Sequence, residues 1–99
     1  MDSHPDPGWV PAVEYNLGQL YEIFAKWEKA IERYERIQKN FEEDEIEISE
    51  KVQYAKARAY DKTGEKNRAI MEYQSFLKKY PDSKHTGIAR KRAEYLKSL

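Results

Sequence analysis

The residue types that most often perform chemistry are scarce in this chain of 99 residues, or lie far apart in it. There is no cysteine, which excludes thiolate nucleophiles and thiolate metal ligands. The histidines, His4 and His85, are distant in sequence, and neither has an acidic residue four positions away to orient it. No nucleophile signature, phosphate-binding loop, dinucleotide fingerprint or zinc-ligand spacing occurs. We therefore expect no catalytic activity, no cofactor and no metal ion.

Two clusters of charge remain as candidate binding sites. The acidic stretch 42–50 contains Asp44, Glu45 and Glu47, which could ligate calcium loosely. It lacks the glycine and the ligand spacing of a calcium loop, so we interpret it as an acidic connector. The basic run Arg90-Lys91-Arg92 could contact phosphates, but consecutive helical residues point about 100° apart and form no single patch. The sequence thus disfavours nucleic-acid binding, and the alternative of this class is a nucleic-acid accessory domain that uses the basic C-terminal half.

The composition predicts one small, soluble domain. Hydrophobic residues make up 39 % of the chain and charged residues 36 %, a balance that suits thin layers of amphipathic helix. No apolar run is long enough to span a bilayer, and residues 1–11 lack the pattern of a signal peptide. The sequence does not specify the compartment. The cytoplasm fits, and so does the periplasm if a targeting segment has been removed.

The charges are distributed unevenly although the formal net charge is zero. Residues 1–50 carry thirteen acidic and five basic side chains, whereas residues 51–99 carry thirteen basic and five acidic ones. We expect a dipole along the molecule. The uneven charge is interpreted as a solvated surface or, alternatively, as a device for head-to-tail stacking of copies or for binding a charged partner at one end.

An internal repeat organises the chain. An offset of 39 aligns residues 13–41 with 52–80 without a gap, and seven of the 29 pairs are identical, where about two would match by chance. The identical pairs are Val13/Val52, Tyr15/Tyr54, Tyr21/Tyr60, Ala30/Ala69, Ile31/Ile70, Tyr34/Tyr73 and Lys39/Lys78. Apolar residues follow helical spacing, so each copy predicts two helices. A final helix over residues 84–98 is expected to place Ile88, Tyr95, Leu96 and Leu99 on one side.

Small and large residues are spaced as in a known family. Leu17-Gly18-x-x-Tyr21 and Ala30-x-x-x-Tyr34, then Ala57-x-x-Tyr60, Gly64, Ala69-x-x-x-Tyr73 and Pro81, resemble tetratricopeptide repeats. Gly18 or Ala57 would let the second helix of a pair approach the first, with tyrosines filling the layers. The first copy departs from the pattern at Ala25, where glycine is usual, and Glu14 and Gln53 occupy the usual tryptophan position. The ending Tyr80-Pro81-Asp82-Ser83 is similar to that of bacterial envelope members.

The resemblance implies an all-α, right-handed superhelix of antiparallel helix pairs, namely two hairpins and a capping helix. The expected boundaries are a flexible leader over 1–10 and one domain over 11–99. Within that domain we expect repeat one at 11–41, the acidic connector at 42–49, repeat two at 50–83 and the capping helix at 84–99.

The resemblance also implies a non-catalytic scaffold that binds a partner peptide or protein segment in a concave groove. The first-helix positions that the resemblance carries over to the groove are Ala12, Tyr15, Asn16, Gln19, Glu22 and Ile23, then Lys51, Tyr54, Ala55, Arg58, Asp61 and Lys62. The residues predicted to bind the partner in this groove are Tyr15, Asn16, Gln19, Tyr54, Arg58, Lys62 and Arg92. A clamp for C-terminal Glu-Glu-Val-Asp tails is disfavoured, because its places hold Tyr15, Gln19, Ala55, Ile88 and Arg92 and only Arg92 fits. Self-association or assembly within a larger repeat complex is the alternative within binding, since two repeats and a cap leave the first helix exposed.

Overall fold

Helices make up the fold. A computed structural model describes residues 10–41 and 46–99, and it contains five α-helices within those ranges. They are α1 (Pro11–Ile23), α2 (Trp27–Phe41), α3 (Ile46–Thr63), α4 (Lys66–Lys79) and α5 (Thr86–Lys97). The predicted leader lies outside the described residues except for Val10. The expected connector 42–49 lies outside them up to residue 45, while its last four residues belong to α3.

The helices begin and end where local chemistry favours it. Val10 has an extended backbone and Pro11 opens α1, at a position where its missing N–H is no loss. Helix α4 ends at Lys79, because Tyr80 precedes Pro81 and a residue before proline avoids the helical conformation. Both intra-repeat turns use a left-handed residue, Ala25 with φ 58° and Gly64 with φ 85°. The sequence therefore encodes short, sharp connections that fold each helix pair back on itself.

The helices stack in chain order. Helix α1 packs on α2, α3 packs on both α2 and α4, and α5 packs on α4, with a smaller contact between α1 and α3. The described residues form an elongated body of 45 × 29 × 23 Å. The predicted all-α architecture of two helix pairs and a further helix is confirmed. Because α3 touches α1, the leading helices of the two repeats lie side by side.

The core contains two clusters of buried side chains, the first between α2 and α3 and the second between α3, α4 and α5, and both are rich in alanine and tyrosine. The first is Ala30, Tyr34, Ile37, Val52 and Ala55; the second is Ala57, Ala69, Tyr73, Phe76, Ala89, Ala93 and Leu96. A Cβ atom added at Gly18 would lie 2.8 Å from Cζ of Tyr34. Glycine is therefore required there for α1 to approach α2, as the sequence predicted.

A buried polar network joins α2, α3 and α4. Gln53, at the position where the family resemblance expects tryptophan, donates from Nε2 to Oε1 of Glu72 at 2.9 Å. Gln38 donates to Oε1 of Gln53 at 2.7 Å, and Lys56 donates to Oε1 of Gln38 at 2.6 Å. No buried side-chain nitrogen or oxygen of the described residues lacks a hydrogen-bond partner. The polar residue is thus accommodated by bonded partners, which avoids the penalty of burying an unsatisfied amide.

The packing side of α5 differs from the prediction, which placed Ile88, Tyr95, Leu96 and Leu99 together. Leu96 alone of these is buried, and it packs together with Ala89 and Ala93. Ile88, Tyr95 and Leu99 are exposed. The prediction was wrong because the alanines, four residues apart, allow a close approach to α4, whereas the larger side chains flank that contact.

The two turn residues generate a paired prediction. A left-handed conformation strains a non-glycine residue by about 1–2 kcal/mol, which exceeds the roughly 0.4–1 kcal/mol of chain entropy that a glycine adds to the unfolded state. Ala25→Gly should therefore raise the free energy of unfolding by about 1 kcal/mol, and Gly64→Ala should lower it by about as much. A Cβ at Gly64 meets nothing within 4 Å, so that loss is purely conformational. Urea unfolding measures both, and shifts of equal sign would contradict the prediction.

Candidate functional site

A concave pocket of about 430 Å³ lies between α3 and α5, with α4 behind it. Its lining residues are Tyr54, Arg58, Asp61, Lys62, Tyr73, Ile88 and Arg92. They combine aromatic rings, one apolar side chain, three cations and one carboxylate. Such a mixture of contact area and convergent polar groups is typical of a surface that binds a polypeptide segment. We call this surface the groove.

One end of the groove is built around Glu22 of α1. Arg58 of α3 donates to it bidentately, from Nε to Oε1 at 3.1 Å and from Nη2 to Oε2 at 3.2 Å. The hydroxyl of Tyr34 in α2 donates to the same carboxylate, and Gln19 donates to Oε2 at 3.1 Å. We call Glu22, Tyr34 and Arg58 the Glu22 cluster. It ties together three consecutive helices.

The same arrangement recurs one repeat later around Asp61 of α3. Arg92 of α5 donates bidentately, from Nε to Oδ2 at 2.5 Å and from Nη2 to Oδ1 at 3.0 Å. The hydroxyl of Tyr73 in α4 donates to Oδ2 at 3.0 Å. Asp61, Tyr73 and Arg92 form the Asp61 cluster. In each cluster the guanidinium of the arginine is paired with a carboxylate. The two arginines therefore bring no unpaired positive charge to the groove.

The clusters shift the pKa values of their members. Burial raises the pKa of the Tyr34 hydroxyl, and its hydrogen bond to Glu22 raises it further. Burial and the adjacent Asp61 raise the pKa of Tyr73 in the same way. Burial alone would raise the pKa of Asp61, but the hydrogen bonds from Arg92 and Tyr73 outweigh it and hold that pKa below its usual range. At neutral pH both tyrosines are hydrogen-bond donors and Asp61 is an ionised acceptor.

The repeated tyrosines Tyr15 and Tyr54 occupy corresponding places beside the clusters. The ring centroid of Tyr15 lies 6.0 Å from that of Tyr34, and that of Tyr54 lies 6.5 Å from that of Tyr73. Tyr54 also stacks on His85, with ring centroids 4.5 Å apart and planes 8° from parallel. Both rings are half-buried. Both rings therefore cover junctions between helices, and Tyr54 also lines the groove.

The structure brings four of the seven predicted groove residues to one pocket, namely Tyr54, Arg58, Lys62 and Arg92. The other three, Tyr15, Asn16 and Gln19, lie on α1 and are not part of the pocket lining. Gln19 is half-buried and donates to the hydroxyl of Tyr34 at 2.6 Å, whereas Asn16 is exposed. A binding role for these seven residues stays a prediction.

Two lining residues, Tyr73 and Ile88, were not predicted to lie in the groove, whereas Asp61 was expected at a groove position without being chosen as a partner-binding residue. Tyr73 carried a signal, because the 39-residue offset aligns Tyr34 with Tyr73 and Glu22 with Asp61. An acidic residue and a tyrosine that recur together at fixed spacing predict a repeated hydrogen bond. Ile88 carried no such signal, since it was assigned to the packing side of α5.

The sequence offered one possible metal site, the acidic stretch 42–50. Within residues 10–41 and 46–99, no group of three or more His, Asp or Glu side chains could hold a metal ion. Asp44 and Glu45, considered above as calcium ligands, lie outside those ranges, as does His4. No helix in the described ranges is both long enough and apolar enough to cross a membrane.

Comparison with protein families matches the chain to the tetratricopeptide repeat, over residues 12–43 and 51–83. The two matched segments coincide with the two helix pairs and cover more than half of the sequence. The chain therefore belongs to the tetratricopeptide repeat family, and its fold is the right-handed superhelix of helical hairpins. Neither the curated proteins nor the solved structures gave a significant match. Tetratricopeptide repeats are in general protein–protein interaction modules and not catalysts.

The pKa shift of Asp61 predicts how stability depends on pH. Since its folded pKa is depressed, its contribution is complete above the unfolded value of about 4 and is lost as the pH falls through the folded value. Asp61→Asn should lower the free energy of unfolding by up to about 1 kcal/mol at pH 7. The difference between wild type and variant should shrink as the pH falls from about 5 to about 3. Urea unfolding across this range measures it, and a constant difference would contradict the role of Asp61.

Proposed function

We propose that this protein is a non-catalytic scaffold that holds a segment of a partner protein in the groove. The observation that supports this most strongly is the pocket itself, in which four residues carried over from the family pattern converge with Ile88. The general role of the family supports it as well. The Glu22 and Asp61 clusters add pre-organisation, because they hold the arginines in place before a ligand arrives and reduce the entropy lost on binding.

The charges of the groove indicate the chemistry of the segment. Arg58 and Arg92 are each neutralised by a carboxylate, whereas Lys62 is exposed at the pocket and can meet a negative group. Ile88 and the ring of Tyr54 provide apolar contact area next to it. The proposed ligand is therefore a segment with an apolar or aromatic side chain close to a carboxylate.

A C-terminal Glu-Glu-Val-Asp tail remains a poor candidate. The clamp for such tails needs a second asparagine at the position of Ala55, which is buried in the core and offers no amide. It also needs a free arginine at Arg92, whose guanidinium is bound to Asp61. The same ion pair weakens the nucleic-acid alternative, since it removes Arg92 from the basic run.

Selection of ligands from a random peptide display library tests the proposal. Binding of the selected peptides is measured by fluorescence anisotropy with the wild type and with the groove variant Lys62→Glu/Ile88→Glu. Both replaced side chains are exposed, so the variant should keep its helicity. We expect binding to weaken at least about tenfold, because a contact residue of this kind contributes more than about 1 kcal/mol.

The matched control is Lys78→Glu/Met71→Glu on α4. Met71 and Ile88 are both 60 % exposed, and Lys78 is exposed like Lys62, so the two variants change charge and polarity equally. The control residues are absent from the lining of the groove. We expect wild-type affinity. Equal weakening by both variants, or peptides that bind the groove variant unchanged, would place the binding surface elsewhere.

A further inference from the structure

Helix α1 carries an apolar stripe that no other described part of the chain covers. Its residues are Val13, Leu17 and Leu20 of α1 together with Val10 and Phe24, which flank the two ends of the helix, and we call this set the α1 stripe. Their exposed fractions lie between 38 and 64 %. They recur at intervals of three and four residues, so they lie along one side of the helix. This side is distinct from the buried side of α1, which consists of Pro11, Glu14 and Gly18.

The second repeat shows what such a side normally contacts. At the 39-residue offset, the first four positions of the stripe correspond to Ser49, Val52, Lys56 and Ala59 of α3. All four are buried, and α3 packs against α2 of the preceding repeat. The side of α3 that packs against another helix therefore corresponds to the exposed side of α1. By this internal comparison, the α1 stripe has the position of a helix–helix interface.

The stripe is also free of charge, although 36 % of the chain is charged. The only charged residues of α1 are Glu14 and Glu22. Both point to other helices, where Glu14 accepts from Nη1 of Arg33 at 3.1 Å and Glu22 accepts from Arg58. The remaining exposed residues of α1 are Ala12, Asn16 and Ile23. Two copies of this surface can therefore face each other without bringing like charges together.

The opposite end of the molecule is a poorer match for the stripe. Helix α5 turns Ala89, Ala93 and Leu96 inward, and the larger apolar residues that it or its end exposes are Ile88, Tyr95 and Leu99. These are interspersed with exposed charged residues, namely Arg90, Lys91, Arg92, Glu94 and Lys97. Head-to-tail stacking would press the uncharged α1 stripe against this charged helix and remove its charges from water. A copy of the stripe itself is the better partner.

We propose that the α1 stripe is the interface of a symmetric dimer, in which α1 packs antiparallel against α1 of a second copy. The 3-4-3-4 spacing is the pattern by which two helices pack side by side. From residue 10 to residue 24 the seam is about 21 Å long. This is smaller than a standard interface, so the dimer is a weak one that forms at about micromolar concentration or above. The groove lies on other side chains, and the dimer does not depend on the proposed function.

Sedimentation velocity over a range of protein concentration tests the dimer. The wild type should shift from monomer to dimer, and the shift should persist in 1 M salt, where charge-driven stacking is screened. Leu17→Glu places two carboxylates opposite each other in the seam and should weaken association about a hundredfold or more. The control Met71→Glu changes an equally apolar, exposed residue on α4 and should dimerise like the wild type. Circular dichroism checks that both variants remain helical.

Single cysteines test the antiparallel arrangement, since these 99 residues contain none. Leu17 is the midpoint of the stripe and lies near the two-fold axis, so Leu17→Cys should oxidise rapidly to a disulfide-linked dimer. Val10→Cys places its thiols at opposite ends of the seam and should not. A wild type that stays monomeric up to about 1 mM would overturn the proposal. So would loss of association with Met71→Glu, or equal cross-linking of the two cysteine variants.

Discussion

The structure depends on a carboxylate that is shared between three successive helices and occurs once in each repeat. Glu22 accepts from Tyr34 of the next helix and from Arg58 of the helix after that, and Asp61 accepts from Tyr73 and Arg92 in the same order. A thin core of alanine and tyrosine leaves the relative position of the leading helices weakly specified by apolar packing alone. Charge-assisted, bidentate hydrogen bonds are directional, so they define that position. The groove is the surface that results.

Much of the fold was predictable because the sequence encodes the same helix pair twice. The offset of 39 identified both helix pairs, and the small residues Gly18, Ala57 and Ala69 correctly marked where helices approach closely. The groove was predictable only in part. A recurring tyrosine or arginine indicates a shared position, but its partner is chosen by tertiary contact. Arg58 and Glu22 are 36 residues apart, and nothing in their local sequence shows that they neutralise each other. The prediction for the packing side of α5 was wrong for a related reason. Two alanines of α5 pack into the core, whereas three larger apolar residues are exposed.

The comparison of α1 with α3 shows how one repeat pattern produces two different surfaces. In α3 the residues of the shared pattern are enclosed between α2 and α4, whereas in α1 the corresponding side is not covered by any described part of the chain. The substitutions follow this difference: the first copy has Leu17 and Leu20 where the second has Lys56 and Ala59. Larger apolar residues thus stand on the open side, which is opposite to the expectation for a surface that only meets water. The α1 stripe and the groove use separate side chains, so a second copy and a partner segment would not compete.

The most direct test of the shared carboxylate is a double-mutant cycle on the free energy of unfolding, with Glu22→Gln, Arg58→Met and the combined variant. Methionine keeps most of the aliphatic length of arginine, and glutamine keeps the shape of glutamate, so the cycle isolates the charged pair. If this pair positions the leading helices, the two changes should be coupled by about 1–3 kcal/mol. Additive effects, with a coupling energy of zero within error, would contradict the account.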